Sequence, residues 1–446
     1  MKFVRIFRKM TAVLAVLGLL GGCVLRDATE FTAESPVTKM ETEEVSPPLT
    51  TLEAPAEPIP EPEVVPLPEV IPESEGIPEP EGTPEPEVIP EPEPVVEEVP
   101  EPEPVPETPE QVRERRIAEE LAQMTAREKL GQMFMVAYSD ASVAALPDYA
   151  FGSYILFAPN FETETVDTLS AKMAALQEQA KYGLLTAVDE EGGTVTRISR
   201  FPQYRADKFK SPRTLYSWGG MDAIRKDTAE KAALLAKLGM NLNMAPVADI
   251  STAETDFMYW RSVGLDAEGT AEFVRTVIRE SKAAGIGSAA KHFPGYGSAA
   301  DTHTGMAYDH RTLDELRAKD FVPFTAAMDE GVEAVLVSHI ITSSIDAEKP
   351  ASVSAKTVEL LRNELGYDGV ILTDDLAMAG ITDYCPTGNA ALEAILAGCD
   401  LLCCTNWDTQ YAAVWTAVEN GTIPEERLNE SAARVLRMKY DMGLWE

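Results

Sequence analysis

Histidine and cysteine are scarce in this sequence, with four of the first and five of the second among 446 residues. Three of the cysteines, Cys399, Cys403 and Cys404, crowd into one apolar run, which makes no disulfide framework. CDLLCC also lacks a second ligand pair at usable spacing, so a zinc site is disfavoured against buried free thiols, Cys385 included. Basic residues are short as well: 38 Lys and Arg face 74 Asp and Glu, for a net charge of -36. That balance excludes nucleic acid and electrostatic binding to anionic lipid. The apolar run Thr11 to Leu20 falls short of the roughly 20 residues that a membrane-spanning helix needs.

What is present divides the chain unevenly. Lys2, Arg5, Arg8 and Lys9 precede that apolar run, as in an export signal. It ends in Leu20-Gly21-Gly22-Cys23, which resembles a bacterial lipobox and implies acylation of Cys23; a non-lipidated signal peptide with a chance cysteine is the alternative. Two or more acyl chains, at about 0.8 kcal/mol per buried methylene, anchor stably. Residues 31–110 carry 23 glutamates and one lysine, mostly in Pro-Glu dipeptides. Proline removes backbone donors and glutamates repel, so no core forms there. An extended spacer results, reaching up to about 250 Å at roughly 3.1 Å per residue. The expected organisation is a signal peptide over 1–22, a lipidated Cys23 with disordered linker to 110, and one globular domain over 111–446. The expected location is the outside of the cell membrane, held by lipid alone.

From Gln111 short apolar runs alternate with longer amphipathic stretches. The runs are 132–137, 152–157, 184–188, 241–246, 285–290, 334–337, 369–372 and 400–404. Helical patterns cover 166–181, 267–284, 313–330, 355–365 and 389–397. Eight strands separated by helices predict an α/β fold, a (β/α)8 TIM-type barrel; a doubly wound open sheet is the competing topology. Polar clusters favour the barrel, because they follow strands all the way round: Asp189-Glu190-Glu191, Lys291-His292, His339 and Asp374-Asp375. An open sheet concentrates them at one switch point.

Asp301 and His303, two apart in a glycine-rich loop, can hydrogen-bond, which fixes the imidazole tautomer and makes His303 a candidate general acid/base. Glycines 295, 297 and 305 are expected to let that loop swing. Asp374 and Asp375 close a strand, and successive side chains alternate, so only one faces the mouth as a candidate nucleophile. The other caps a helix or supports the site. Asp189-Glu190-Glu191-Gly192-Gly193 reads as an acidic turn or a metal-binding loop. Arg197, Arg261 and Lys291 make a hydroxyl-binding rim, although surface arginines are usually solvated.

DEEGG, APVADI, KHFPGYG with DTH, and GVILTDDLAM occur in an order that resembles glycoside hydrolase family 3, in its single-domain β-N-acetylhexosaminidase branch. The resemblance spans about 330 residues. It implies that Asp374 is the nucleophile of a retaining mechanism and that His303, supported by Asp301, is the acid/base. It further implies that Asp189, Arg197, Arg261, Lys291 and His292 hold the sugar, with no metal and no cofactor. Tyr296 stands where the branch has histidine, and the span from Gly297 to Asp301 is one residue short. The substrate class implied is terminal β-linked N-acetylhexosamine, from cell-wall fragments or other glycans. The alternatives are a β-glucosidase of the same family, a non-catalytic glycan-binding lipoprotein, a metallohydrolase using His292, His303, His339 and Asp374, and a Schiff-base enzyme using Lys291.

Overall fold

All eight apolar runs become strands of one parallel sheet. In the computed structural model, which describes residues 106–385 and 389–445, ten strands occur. They are β1 (Phe134–Ala137), β2 (Ser153–Leu156), β3 (Leu185–Val188), β4 (Leu242–Asn243), β5 (Gly287–Phe293), β6 (Ala307–Asp309), β7 (Ala334–Val337), β8 (Ile340–Thr342), β9 (Val370–Thr373) and β10 (Leu402–Cys403). The order β10-β1-β2-β3-β4-β5-β7-β9 is parallel throughout, and β6 pairs with β8 apart from it. A parallel bridge, Leu372 to Leu401, joins the two ends of the sheet, with Thr373 N–H donating to the Leu401 carbonyl at 3.0 Å. The sheet is therefore a closed barrel. The signal peptide, Cys23 and nearly all of the linker lie outside the described residues. Among those described, no helix is long and apolar enough to cross a membrane.

Alternation sorts the side chains. Met135, Leu185, Ala187, Leu336, Leu372 and Cys403 face the barrel interior. Their neighbours Phe134, Val188, Val335, Ile371 and Cys404 face the surrounding helices. Both faces are covered, which is why these strands read as continuous apolar runs. Each fully buried Leu or Ile contributes roughly 1.5–3 kcal/mol. Cys399, Cys403 and Cys404 are buried free thiols, and burial pushes the Cys399 thiol up to about 12.

Two helical readings change, and one helix was not read. The 313–330 stretch is two helices, Leu313–Ala318 and Phe321–Asp329. Pro323 has no N–H to continue one helix through this point, and the break lets Asp320 turn inward to meet Arg311 at 2.6 Å. The 355–365 stretch is α-helical over Ala355–Glu359 and then widens to a π turn over Leu360–Glu364. The first helix, Pro109–Gln123, starts before Gln111, because Thr108 and Gln111 form a capping box with proline at its first turn. It packs on the last helix, Glu425–Asp441, where Arg437 meets Glu114 at 2.8 Å and Arg113 meets Asp441 at 3.1 Å.

Candidate active site

The site grows from the C-terminal ends of β3, β4, β5 and β9. After β3 the three carboxylates take three separate tasks. Glu190 turns into the protein and accepts the N–H groups of Arg197, Ile198 and Ser199 together with the Ser199 hydroxyl. It holds the loop that carries Arg197. Asp189 accepts from Lys291 at 2.7 Å and lies 3.7 Å from Arg197. Glu191, buried, receives a two-pronged bond from Arg261, at 3.0 and 2.7 Å, and Lys291 at 2.7 Å. The following turn requires glycine: Gly192 has φ 105°, and a Cβ there would sit 2.2 Å from the Lys210 carbonyl.

This acidic loop is thus no metal site. Burial alone raises a carboxyl, yet Arg261 and Lys291 outweigh it and hold Glu191 well below the usual range. The same ion pairs raise Lys291 despite its burial, with Asp189 the foremost partner. A lysine kept as ammonium is no amine nucleophile, so the Schiff-base reading loses its chemistry. Arg261 is buried in this network instead of solvated. Arg197 Nε is buried with no partner among the described residues, which leaves a donor for a ligand hydroxyl.

Lys291 and His292 both reach this network, although neighbours on a strand should diverge. The pairing of β5 with β7 shifts register between Lys291 and Phe293, so His292 is the extra residue of a bulge. His292 donates from Nδ1 to Asp249 at 2.7 Å, while its Nε2 faces Arg261 Nη2 at 3.1 Å. A guanidinium only donates, so Nε2 is the acceptor. Asp249 is the residue that sequence reasoning passed over. It is fully buried after β4 and also accepts the backbone N–H groups of His292 and Tyr296.

Asp374 closes β9. Burial pushes its carboxyl up, but its polar surroundings, the Asp375 N–H and the Lys291 ammonium among them, outweigh this and hold it below its ordinary value. It is therefore a carboxylate, the form a nucleophile needs. Asp375 turns the other way and accepts Thr405 Oγ1 at 2.7 Å and Thr405 N–H at 3.1 Å, across to the segment after β10. Buried His339 is held neutral by desolvation. Its Nε2 donates to the Asp375 carbonyl at 2.9 Å, so its Nδ1 accepts from Ser352 at 2.8 Å. With both nitrogens engaged, His339 cannot join a metal set with His292, His303 and Asp374. Among the described residues no group of three His, Cys, Asp or Glu is arranged to hold a metal.

Asp301 and His303 lie in the loop between β5 and β6. Asp301 Oδ1 accepts from both the His303 N–H, at 2.9 Å, and its Nδ1, at 2.7 Å, leaving Nε2 outward on an imidazole 58% exposed. Two of the loop glycines are required by close packing. Gly295 and Gly297 have φ 114° and 52°, and a Cβ on either would strike Asp320 or Arg311 at 2.5 Å. They pin the base of the loop, whereas a Cβ on Gly305 would meet only Asp383, at an ordinary 3.7 Å.

Residues 125–438 match the glycosyl hydrolase family 3 N-terminal domain. A β-hexosaminidase from Methylococcus capsulatus is 31% identical over 298 residues, covering 66% of this chain and 86% of its own. A solved glycoside hydrolase family 3 β-N-acetylglucosaminidase from Paenibacillus superposes with a TM-score of 0.67 at 30% identity, over 72% of this chain and 63% of that one. A β-N-acetylhexosaminidase from Beutenbergia cavernae superposes with a TM-score of 0.63 at 27% identity, over 72% of this chain and 99% of that one. The barrel with its carboxylate at the mouth and these matches agree: the chain belongs to glycosyl hydrolase family 3 and is a glycosidase.

Proposed function

We propose that this chain is a retaining β-N-acetylhexosaminidase that removes terminal β-linked N-acetylglucosamine from cell-wall fragments or other glycans. The observation that carries the reading is Asp374. It is a strand-end carboxylate kept ionised among His292, His339 and Lys291, with a loop histidine already oriented by its own carboxylate. In the first step an Asp374 oxygen bonds to the anomeric carbon as the glycosidic bond breaks, and the His303 Nε2 proton passes to the departing oxygen. In the second, water gives a proton to His303 and its oxygen displaces Asp374. Asp189, Arg197, Arg261, Lys291 and His292 hold the ring at the mouth, and Asp301 keeps the imidazole turned outward. The names of the similar enzymes support the choice of sugar.

The same proposal places the enzyme outside the cell, anchored by lipid on Cys23 and spaced by the Pro-Glu segment. The basic start, the apolar run and Leu20-Gly21-Gly22-Cys23 support this, and metabolic labelling with a fatty acid, lost in Cys23→Ala, tests it. The activity is tested with nitrophenyl N-acetyl-β-glucosaminide and nitrophenyl β-glucoside, with chelator present. Preference for the N-acetyl sugar, abolished in Asp374→Ala, is the expected result. Turnover of the glucoside instead overturns the substrate, and binding without turnover overturns the enzyme.

A further inference from the structure

Within the loop bearing His303, the residue nearest the imidazole that the protein holds is Thr302. Asp301 and His303 reach toward solvent, while Thr302 between them is fully buried. The Thr302 hydroxyl lies 2.5 Å from the hydroxyl of buried Tyr296. Its carbonyl accepts the Gly380 N–H at 2.8 Å, and a Cβ on Gly380 would stand only 2.9 Å from that carbonyl. Thr302 is thus tied on one side to the segment after β5 and on the other to the segment that follows Asp374.

Tyr296 has a second set of contacts. Its N–H donates to Asp249 at 2.8 Å, and the other oxygen of that carboxylate holds His292 Nδ1. Its ring stands edge-on to His292 with centroids 5.2 Å apart and packs against Phe257 at 5.5 Å. Phe257 in turn lies 6.4 Å from the His303 ring. Burial, with Asp374 next, lifts the phenol far above its usual pKa, so the hydroxyl stays neutral. The pinned glycines on either side, Gly295 and Gly297, leave Tyr296 little room to shift.

We infer that Tyr296 is a positioning residue: through Thr302 its hydroxyl sets how the Asp301–His303 pair is presented to the leaving-group oxygen, and it couples that pair to the sugar-holding His292. This rests on the acid/base reading of His303. Two buried hydroxyls that satisfy each other act as a unit, since removing one leaves the other unpaired. A displacement of about 1 Å at a reacting group can cost on the order of 10²-fold in rate.

The test measures kcat and KM on two N-acetyl-β-glucosaminides, one with a nitrophenyl and one with a methyl leaving group. His303→Ala, Tyr296→Phe, Thr302→Val, the last two combined, and Thr302→Ser are compared in the full chain. The methyl glycoside depends on protonation and the nitrophenyl glycoside far less. Tyr296→Phe should lose about tenfold in kcat on the methyl glycoside and about twofold on the other, with KM little changed. The double variant should be no worse than either single, and Thr302→Ser, which keeps the hydroxyl, should retain activity. Equal losses on both substrates, or additive losses in the double variant, overturn the inference while leaving the acid/base reading intact. If His303→Ala itself shows no dependence on leaving group, that reading falls and the inference falls with it.

Discussion

Two buried clusters of charge occupy opposite ends of the barrel strands, and they differ in what completes them. At the N-terminal end Asp400, fully buried, is surrounded by Arg362, Arg427 and Arg434, by the Ser431 hydroxyl at 2.9 Å and by the Ile371 N–H at 3.0 Å. Its oxygens are consumed by the protein, and it ties the start of β10 to the last helix. At the C-terminal end the carboxylates of Asp189 and Glu191 share one lysine, while Arg197 keeps an unpartnered donor and Asp374 keeps its charge without an arginine clamp. Closed clusters hold a fold together. Open ones are arranged to be completed by a substrate.

The largest expected effect separates the two ends most sharply. Asp374→Ala should lower kcat by about 10⁴-fold or more with little change in melting temperature, since the site gives up only a carboxylate held there for chemistry. Asp400→Asn should do the reverse. Losing the counter-charge of three guanidiniums is expected to cost about 3–5 kcal/mol, read in a denaturant titration, with kcat of the folded enzyme unchanged. A catalytic loss in Asp400→Asn without unfolding would erase the distinction.

Glu191→Gln probes the boundary, because Glu191 belongs to the mouth yet is saturated by Arg261 and Lys291. The expected outcome is a fall of about 10²-fold in kcat/KM, chiefly through KM, together with a measurable loss of stability. Activity without penalty would show that the network is structural only.

The smallest effect lies at the base. Lys439 is fully buried, and among the described residues its partners are Gln132 Oε1, at 2.5 Å, and the Gly183 carbonyl, at 2.9 Å. Burial lowers its pKa to about 7. Between pH 7 and the ordinary lysine range the unfolded chain then holds a proton that the folded one has released, so folding stability rises with pH across that window and this gain is absent below pH 7. Lys439→Met should flatten that rise and lift the melting temperature at pH 6 by about 1–3 °C. An identical pH profile in the variant would show that Lys439 stays charged.

The barrel was legible because each strand is buried on both faces, and eight apolar runs with polar residues after them leave few other topologies. Asp189, Lys291, His292 and Asp374 were legible because they stand where strands end. Asp249 and Glu191 were not assigned roles, since their task is to hold side chains 43 and 70 or more residues away, and nothing local marks such a task. The packing role of two glycines in the His303 loop was not legible for a related reason. A glycine beside a loop suggests freedom, yet Gly295 and Gly297 are small because Asp320 and Arg311 press against them. The break at Lys319 and Asp320 was missed because the apolar period runs through it, and only Pro323 and the buried fate of Asp320 reveal it.

The join between β9 and β10 has one backbone bridge, and beyond it the hoop is fastened by the Leu376 N–H to the Cys403 carbonyl at 2.9 Å and by side chains: Thr373 Oγ1 accepts the Cys403 N–H at 3.1 Å, and Asp375 grips Thr405. Asp374 hangs from the strand on one side of that clasp. An enzyme lacking the Asp375 carboxylate would therefore lose activity by loosening beside its nucleophile, with every reacting group still in the chain. Two neighbouring aspartates would then look equally essential in a turnover assay, and amide exchange at Thr405 would tell the chemist from the buckle.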